Sequence, residues 1–284
     1  MRAAGVADPA ANKISSVAID RVRPLELARI MGNETYKNIL TLWAYRLTIV
    51  PELALLALTY LMLQFFIGGG KLVDALLPAT TLAFVFYVFT YYTLAKVVSG
   101  LLEEVNTGTL EQTHLSPLPS WALSSSRVGA AMVQGGLVTI VTAAGFLVAL
   151  GIDFPLRWQV LVPVAVTVLD VAGFALLIAG LALTIASIGA VLHVIQGMVM
   201  LLNGSLLPVE SFPPWLEGVA RLVPGTLGIE ATRAVLFDGA SLASVWTRGT
   251  LGWTILHAAA MLAVGWAVYQ RAIGRGLRTG RLGP

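Results

Sequence analysis

SGLLEEVNTGTLEQTHLSPLPS, residues 99–120, is the one long polar interruption between blocks of sequence that can dissolve in a bilayer. It carries Glu103, Glu104 and Glu111, has helix-forming composition from Leu101 to Leu115, and runs into Pro117 and Pro119. Glycine weakens a helix interior and proline ends it, so Gly108 predicts two short helical pieces bent near residues 106–109. Thr109 followed by Gln112 matches a weak capping box. An acidic segment that stops sharply between two apolar blocks suits contact with something in water. A solvated loop whose acids merely aid solubility is the alternative.

Outward from this segment the chain turns apolar. Of its 284 residues 57% are hydrophobic and 12% charged, with a mean hydropathy of +0.82. Soluble domains average about 25% charge, so the composition predicts an all-α polytopic membrane protein. A net charge of +3 is too small to indicate a nucleic-acid partner. The absence of cysteine excludes disulfides and thiolate chemistry. His114, His193 and His257 are too far apart in sequence for metal-ligand spacing, so no metal is expected. There is no HExxH, GxSxG or GxxxxGK[ST] pattern, hence no catalytic constellation and no phosphate loop. Energy for any driven process must come from a gradient or from a separate ATP-hydrolysing partner.

A spanning helix needs about 20 mainly apolar residues. Six such spans are expected, near 47–67, 76–98, 122–150, 160–182, 187–207 and 251–269. The unbroken apolar run 160–207 has to divide, because a helix of its 48 residues would reach about 72 Å. Residues 1–20 are expected to form a mobile tail and 21–46 an amphipathic helix at the membrane surface, with Arg23, Arg29 and Lys37 available to headgroups. Residues 47–269 would form the transmembrane domain and 270–284 a basic tail. With six spans, one side of the membrane holds 13 of the 18 basic residues. The positive-inside rule then places both termini, and residues 99–120, in the cytoplasm.

On the opposite side, residues 207–237 contain amphipathic pieces too short to span: Phe212 to Leu222, a break at Pro224, then Leu227 to Phe237. Half-helices folded back into the outer face fit, with Pro208, Glu210, Phe212, Pro214, Trp215, Glu230 and Arg233 as candidate gate residues. Glu230 and Arg233, three apart, could pair on one face; a plain surface hairpin of helices is the alternative to the re-entrant reading. Within the spans, Glu52 follows Pro51 near the start of the first, and Asp170 lies midway through the fourth. An intramembrane carboxylate marks a candidate site, so Asp170 is either a proton or substrate contact or a lock between helices. Phe86, Tyr87 and Tyr91 form an aromatic stripe that suits helix packing or an amphiphile sliding along it. Lys96 is expected to snorkel to the interface; His193 and His257 read as packing residues.

Three runs in order, EVNTGTLEQTHLSPLP (104–119), NGSLLPVESFPPW (203–215) and LVPGTLGIEATR (222–233), resemble the permease subunit of ABC-2 type exporters. The resemblance extends from about Leu25 to the last span, and the GTLEQ…SPLP run is its distinctive part. It implies a coupling helix within Leu101–Leu115, with Leu101, Glu103, Glu104, Thr109, Leu110, Glu111 and His114 facing a groove of a separate nucleotide-binding subunit. ATP and magnesium would bind that subunit, and this chain would hold no cofactor. The resemblance also implies an N-terminal helix touching the same subunit, external re-entrant helices and a second permease copy, in the bacterial cytoplasmic membrane. Thr113-His114 departs from the family, where a hydrophobic residue commonly follows the GTLEQ run. Export of a drug-like or lipid-like amphiphile is the favoured function. Export of a lipid-linked polysaccharide or teichoic acid, a proton-coupled carrier using Asp170, and a non-transporting assembly protein are the alternatives.

Overall fold

The computed structural model describes residues 24–109, 120–152, 155, 157–185 and 188–279. Among them there is no strand. In chain order the helices are α1 (Pro24–Ala44), α2 (Arg46–Ile67), α3 (Leu77–Asn106), α4 (Ser120–Leu150), α5 (Leu161–Ala182) and α6 (Ile188–Leu202). Three short helices follow, α7 (Pro214–Arg221), α8 (Thr226–Leu236) and α9 (Leu242–Thr247), and then the long α10 (Thr250–Thr279). The protein is an all-α polytopic membrane protein in which α2, α3, α4, α5 and α10 are long and apolar enough to cross a bilayer.

The fifth expected span, 187–207, is shorter than its composition suggests. Helix α6 ends at Leu202, and its 15 residues reach about 22 Å against a hydrocarbon core of about 30 Å. Asn203 stops it: its Oδ1 accepts hydrogen bonds from the Ser205 amide (3.0 Å) and hydroxyl (2.6 Å), folding the chain into a turn. Helix α10 departs in the other direction, continuing ten residues beyond the expected boundary at Tyr269. The polar interruption bends within the expected stretch 106–109. Its first half is the uninterrupted end of α3, and the bend falls at Thr107–Gly108.

Helices α3 and α5 form the centre. In their most apolar windows 78% and 56% of residues are buried, against 11% in α2. Tyr60 of α2, Phe84 of α3 and Phe146 of α4 meet in an aromatic cluster with centroids 4.4–5.5 Å apart. The Tyr60 hydroxyl shares hydrogen bonds with Thr80 (2.9 Å) and Thr81 (3.0 Å). Helices α5 and α10 make the closest pairing. A Cβ at Gly173 would lie 2.4 Å from the Leu262 amide nitrogen, and one at Gly265 would lie 2.0 Å from the Gly173 carbonyl oxygen. Without a hydrophobic drive between helices in lipid, small residues supply this backbone approach.

Helix α1 packs along α4, with the Met31 methyl beside Gly129. Its Tyr36, Leu40 and Trp43 remain exposed. The bundle thus has an α1 end, where α2 and α4 begin and α3 and α10 finish, and an α8 end capped by the short helices.

Candidate functional site

At the α1 end one arginine organises three helices. Arg127, in the second turn of α4, pairs with the Glu104 carboxylate on the last turn of α3 and donates from Nη1 to the Tyr269 hydroxyl of α10 (3.2 Å). Beyond Glu104 the Thr107 and Thr109 hydroxyls are 2.9 Å apart, and both donate to backbone carbonyls of the last turn of α3. Of the residues assigned to coupling, Glu103 and Thr109 are exposed, Glu104 is half-buried in the ion pair, and Leu101 is wholly buried. Leu101 therefore presents nothing outward. Leu110, Glu111 and His114 lie outside the described residues, as does Arg23 of the interface helix; Arg29 and Lys37 are exposed on α1.

A cavity of about 760 Å³ opens at this end among α1, α2, α3 and α4, lined by Lys37, Glu52, Tyr92, Lys96 and Gln134 among others. Lys96 sits beside Glu103 and Lys37. The Tyr91 hydroxyl donates to Glu52 Oε1 (3.1 Å). Tyr87 is 4% exposed and stacks among Phe84 and Tyr91, whereas Phe86 and Tyr91 are half-buried. Thus Tyr87 belongs to the core, and Tyr91 is tied to the cavity only through Glu52.

At the α8 end the polar groups interlock. Asp170, 3% exposed, uses both carboxylate oxygens. Oδ2 accepts from the Gly225 amide (2.7 Å), and Oδ1 lies 3.0 Å from His257 Nδ1 of α10. His257 Nε2 faces the Leu222 carbonyl (3.2 Å). With an oxygen acceptor at each ring nitrogen, the imidazolium form satisfies both contacts by donating twice. Gly225 has φ +89°, a left-handed conformation that favours glycine and turns α7 into α8. Asp170 thereby fastens this turn and α10 to α5.

The Glu230–Arg233 pair that the spacing allows does not form. Glu230 binds Arg221 Nε across the turn (3.3 Å), Arg221 also holds Glu217 (2.9 Å), and Arg233 reaches Glu210 (3.1 Å). The break at Pro224–Gly225 folds α7 against α8, so partners from neighbouring elements lie closer than the one along the helix. Burial raises the Glu230 carboxyl above its ordinary range, with Arg221 opposing. Pro208 and Phe212 are half-buried, while Pro214 and Trp215 are exposed. His193 is exposed on α6. The Asn203–Pro208 turn is pinned by Gln64 of α2, whose Nε2 donates to the carbonyls of Ser205 and Leu206 (both 3.0 Å).

Sequence reasoning missed Arg127, Gln64 and the partnership of His257. Gln64 and His257 are isolated polar residues in apolar helices, the one signal that marks them; Arg127 follows Ser124, Ser125 and Ser126 and stands out only by its charge. No group of three or more potential metal ligands occurs among the described residues.

Residues 31–237 match the family model for the ABC-2 type transporter. Two curated relatives, from Escherichia coli K12 and Escherichia coli O157:H7, are each named "Probable multidrug ABC transporter permease YbhR". Each is 26% identical over 159 residues, covering 52% of this chain and 40% of the relative. The chain therefore matches less than half the length of these relatives. The family match runs from the second turn of α1 through α8, across the polar segment and the interlocked turn, and on this ground the chain belongs to the ABC-2 type transporter family.

Proposed function

We propose that this chain is the membrane-spanning permease subunit of an ATP-driven exporter that moves a drug-like or lipid-like amphiphile outward. The observation that carries the reading is the family match over residues 31–237, which includes the whole polar interruption. The relatives' printed name, multidrug permease, supports the cargo class. On this reading α6 with its following turn completes six spans, both termini and the α1 end are cytoplasmic, and α7 and α8 are external re-entrant helices closing the outer gate. The coupling helix docks in a separate nucleotide-binding subunit, where ATP and magnesium bind. Helix α1, with Arg29 and Lys37 exposed, touches that subunit and the headgroups. The exposed apolar side of α2, including Leu47, Leu55 and Leu58, is offered to lipid or to a second permease copy.

The closure of both Asp170 oxygens speaks against a free carboxylate cycling protons, and so against a gradient-driven carrier. Inside-out vesicles holding the chain and its co-purifying ATPase provide the test. A fluorescent amphiphile should accumulate only with ATP, and helix-breaking Leu110→Pro or Glu111→Pro should abolish accumulation while leaving basal ATP hydrolysis by the partner. Accumulation that ignores ATP and collapses with the proton gradient would sink the proposal.

A further inference from the structure

The cavity at the α1 end holds a charge and an acceptor that the chain itself leaves unanswered. Glu52 enters its wall from the second turn of α2, and the Tyr91 hydroxyl donates to one carboxylate oxygen. The Tyr92 hydroxyl lies close to the same carboxylate. No ion pair joins Glu52 among the described residues. Of the cavity's own cations, Arg127 pairs with Glu104, Lys96 lies beside Glu103 and Lys37, and none pairs with Glu52 among the described residues. Gln134 of α4 lines the same cavity, is 7% exposed, and its Oε1 has no hydrogen-bond partner among the described residues. Leu42, Ile49 and Ala131 give the remaining wall an apolar surface.

An uncompensated carboxylate at the start of a span and a buried acceptor without a donor are both costly. A single group satisfies them together. A primary ammonium supplies the counter-charge to Glu52 and N–H donors for Glu52 and Gln134 Oε1. Beside Glu52 a sulfate or phosphate would meet like charge, an alcohol would leave the carboxylate unpaired, and a quaternary ammonium would bring no donor. We propose that this cavity binds the primary ammonium head of a single-chain cationic amphiphile, with the chain against Leu42, Ile49 and Ala131. The assignment names the cargo class of the proposed exporter and rests on that reading for the transport step after binding.

The chain has no cysteine, so one introduced thiol reports the site. In full-length protein in phosphatidylcholine nanodiscs, dodecylamine should saturably protect Ser99→Cys, on the cavity rim, from a maleimide. It should not protect Ala243→Cys on α9. Dodecyltrimethylammonium should protect at least about tenfold more weakly, and dodecyl sulfate and dodecanol not at all. Glu52→Gln and Gln134→Leu should each raise the half-protecting dodecylamine concentration about tenfold or more, with Tm recorded for each. Absence of protection in Ser99→Cys, equal protection by dodecyl sulfate, or undiminished protection in folded Glu52→Gln overturns the site. Protection that survives while ATP-driven export fails upholds the site and removes the exporter reading. Loss of protection with export intact does the reverse.

Discussion

At the α8 end, Asp170 has a partner for each oxygen, Arg221 holds two carboxylates, and the Asn203 turn is tied to both α2 and α3. At the α1 end, Glu52 has one tyrosine hydroxyl, Lys96 has no hydrogen-bonded partner among the described residues, and a single ion pair from Arg127 joins α3 to α4. Both ends contain charge at the edge of apolar helices and a cavity, of about 620 Å³ at the α8 end and about 760 Å³ at the α1 end. Yet the polar groups of the first are cross-linked from several elements, and those of the second are joined by few bonds. A closed network resists displacement because removing any member strands the rest. One bridge over a cavity can be broken and remade. The distribution of polar bonds thus distinguishes a clamped end from a sparsely bonded one.

The comparison breaks most sharply at Asp170. Asp170→Ala strands His257 and the Gly225 amide and should cost about 3–5 kcal/mol, as when one partner of a buried pair is removed. Asp170→Asn can still accept from Gly225 and can donate to a neutral His257, so it should cost far less. Thermal unfolding in detergent separates the two, and equal losses would show that the pairing is not what holds the turn.

The second test lies at the sparsely bonded end. Arg127→Ala should cost about 1.5–3 kcal/mol, the range for a hydrogen bond to a charged group, and should depress coupled transport more than stability. The double exchange Glu104→Arg with Arg127→Glu should recover part of that loss. Recovery of neither would assign Arg127 to its Tyr269 contact instead.

The smallest expected effect is a pH slope. Burial raises the Glu230 carboxyl, so the folded state holds its proton more tightly than the unfolded chain does. The resulting stability is fully present below the ordinary carboxylate value of about 4.3 and is lost as pH rises through the raised value. Glu230→Gln should flatten Tm across this weakly acidic window. An unchanged slope would move its origin to another group.

Hydropathy made five spans legible because length and apolarity are what crossing requires. It could not rank them, since a leucine facing lipid and one facing protein read alike. Helix α2, with 11% of its apolar window buried, and α3, with 78%, therefore look similar in sequence. The end of α6 was hidden for a related reason. LLNGSLLP stays largely apolar, while Asn203 ends the helix through side-chain bonds to Ser205 that hydropathy ignores. Candidate site residues were legible singly but not in pairs. Asp170 stood out as a buried acid, but His257 lies 87 positions away and Arg127 lies 23 from Glu104, separations without helical meaning. Glu230 and Arg233 misled because their helical spacing is sound and the preceding break at Gly225 brings better partners.

Helix α10 has a mechanical consequence. It carries His257 of the Asp170 fastening and Tyr269 of the Arg127 bridge on one stretch that contains no proline. Twelve residues of α-helix separate them by about 18 Å and rotate them by about a third of a turn. A rod this short transmits an axial push or a twist almost without loss. Because coupling between two sites is reciprocal in binding free energy, any factor by which loosening His257 from Asp170 alters the affinity of whatever pulls on Arg127 equals the factor by which that pull loosens the latch.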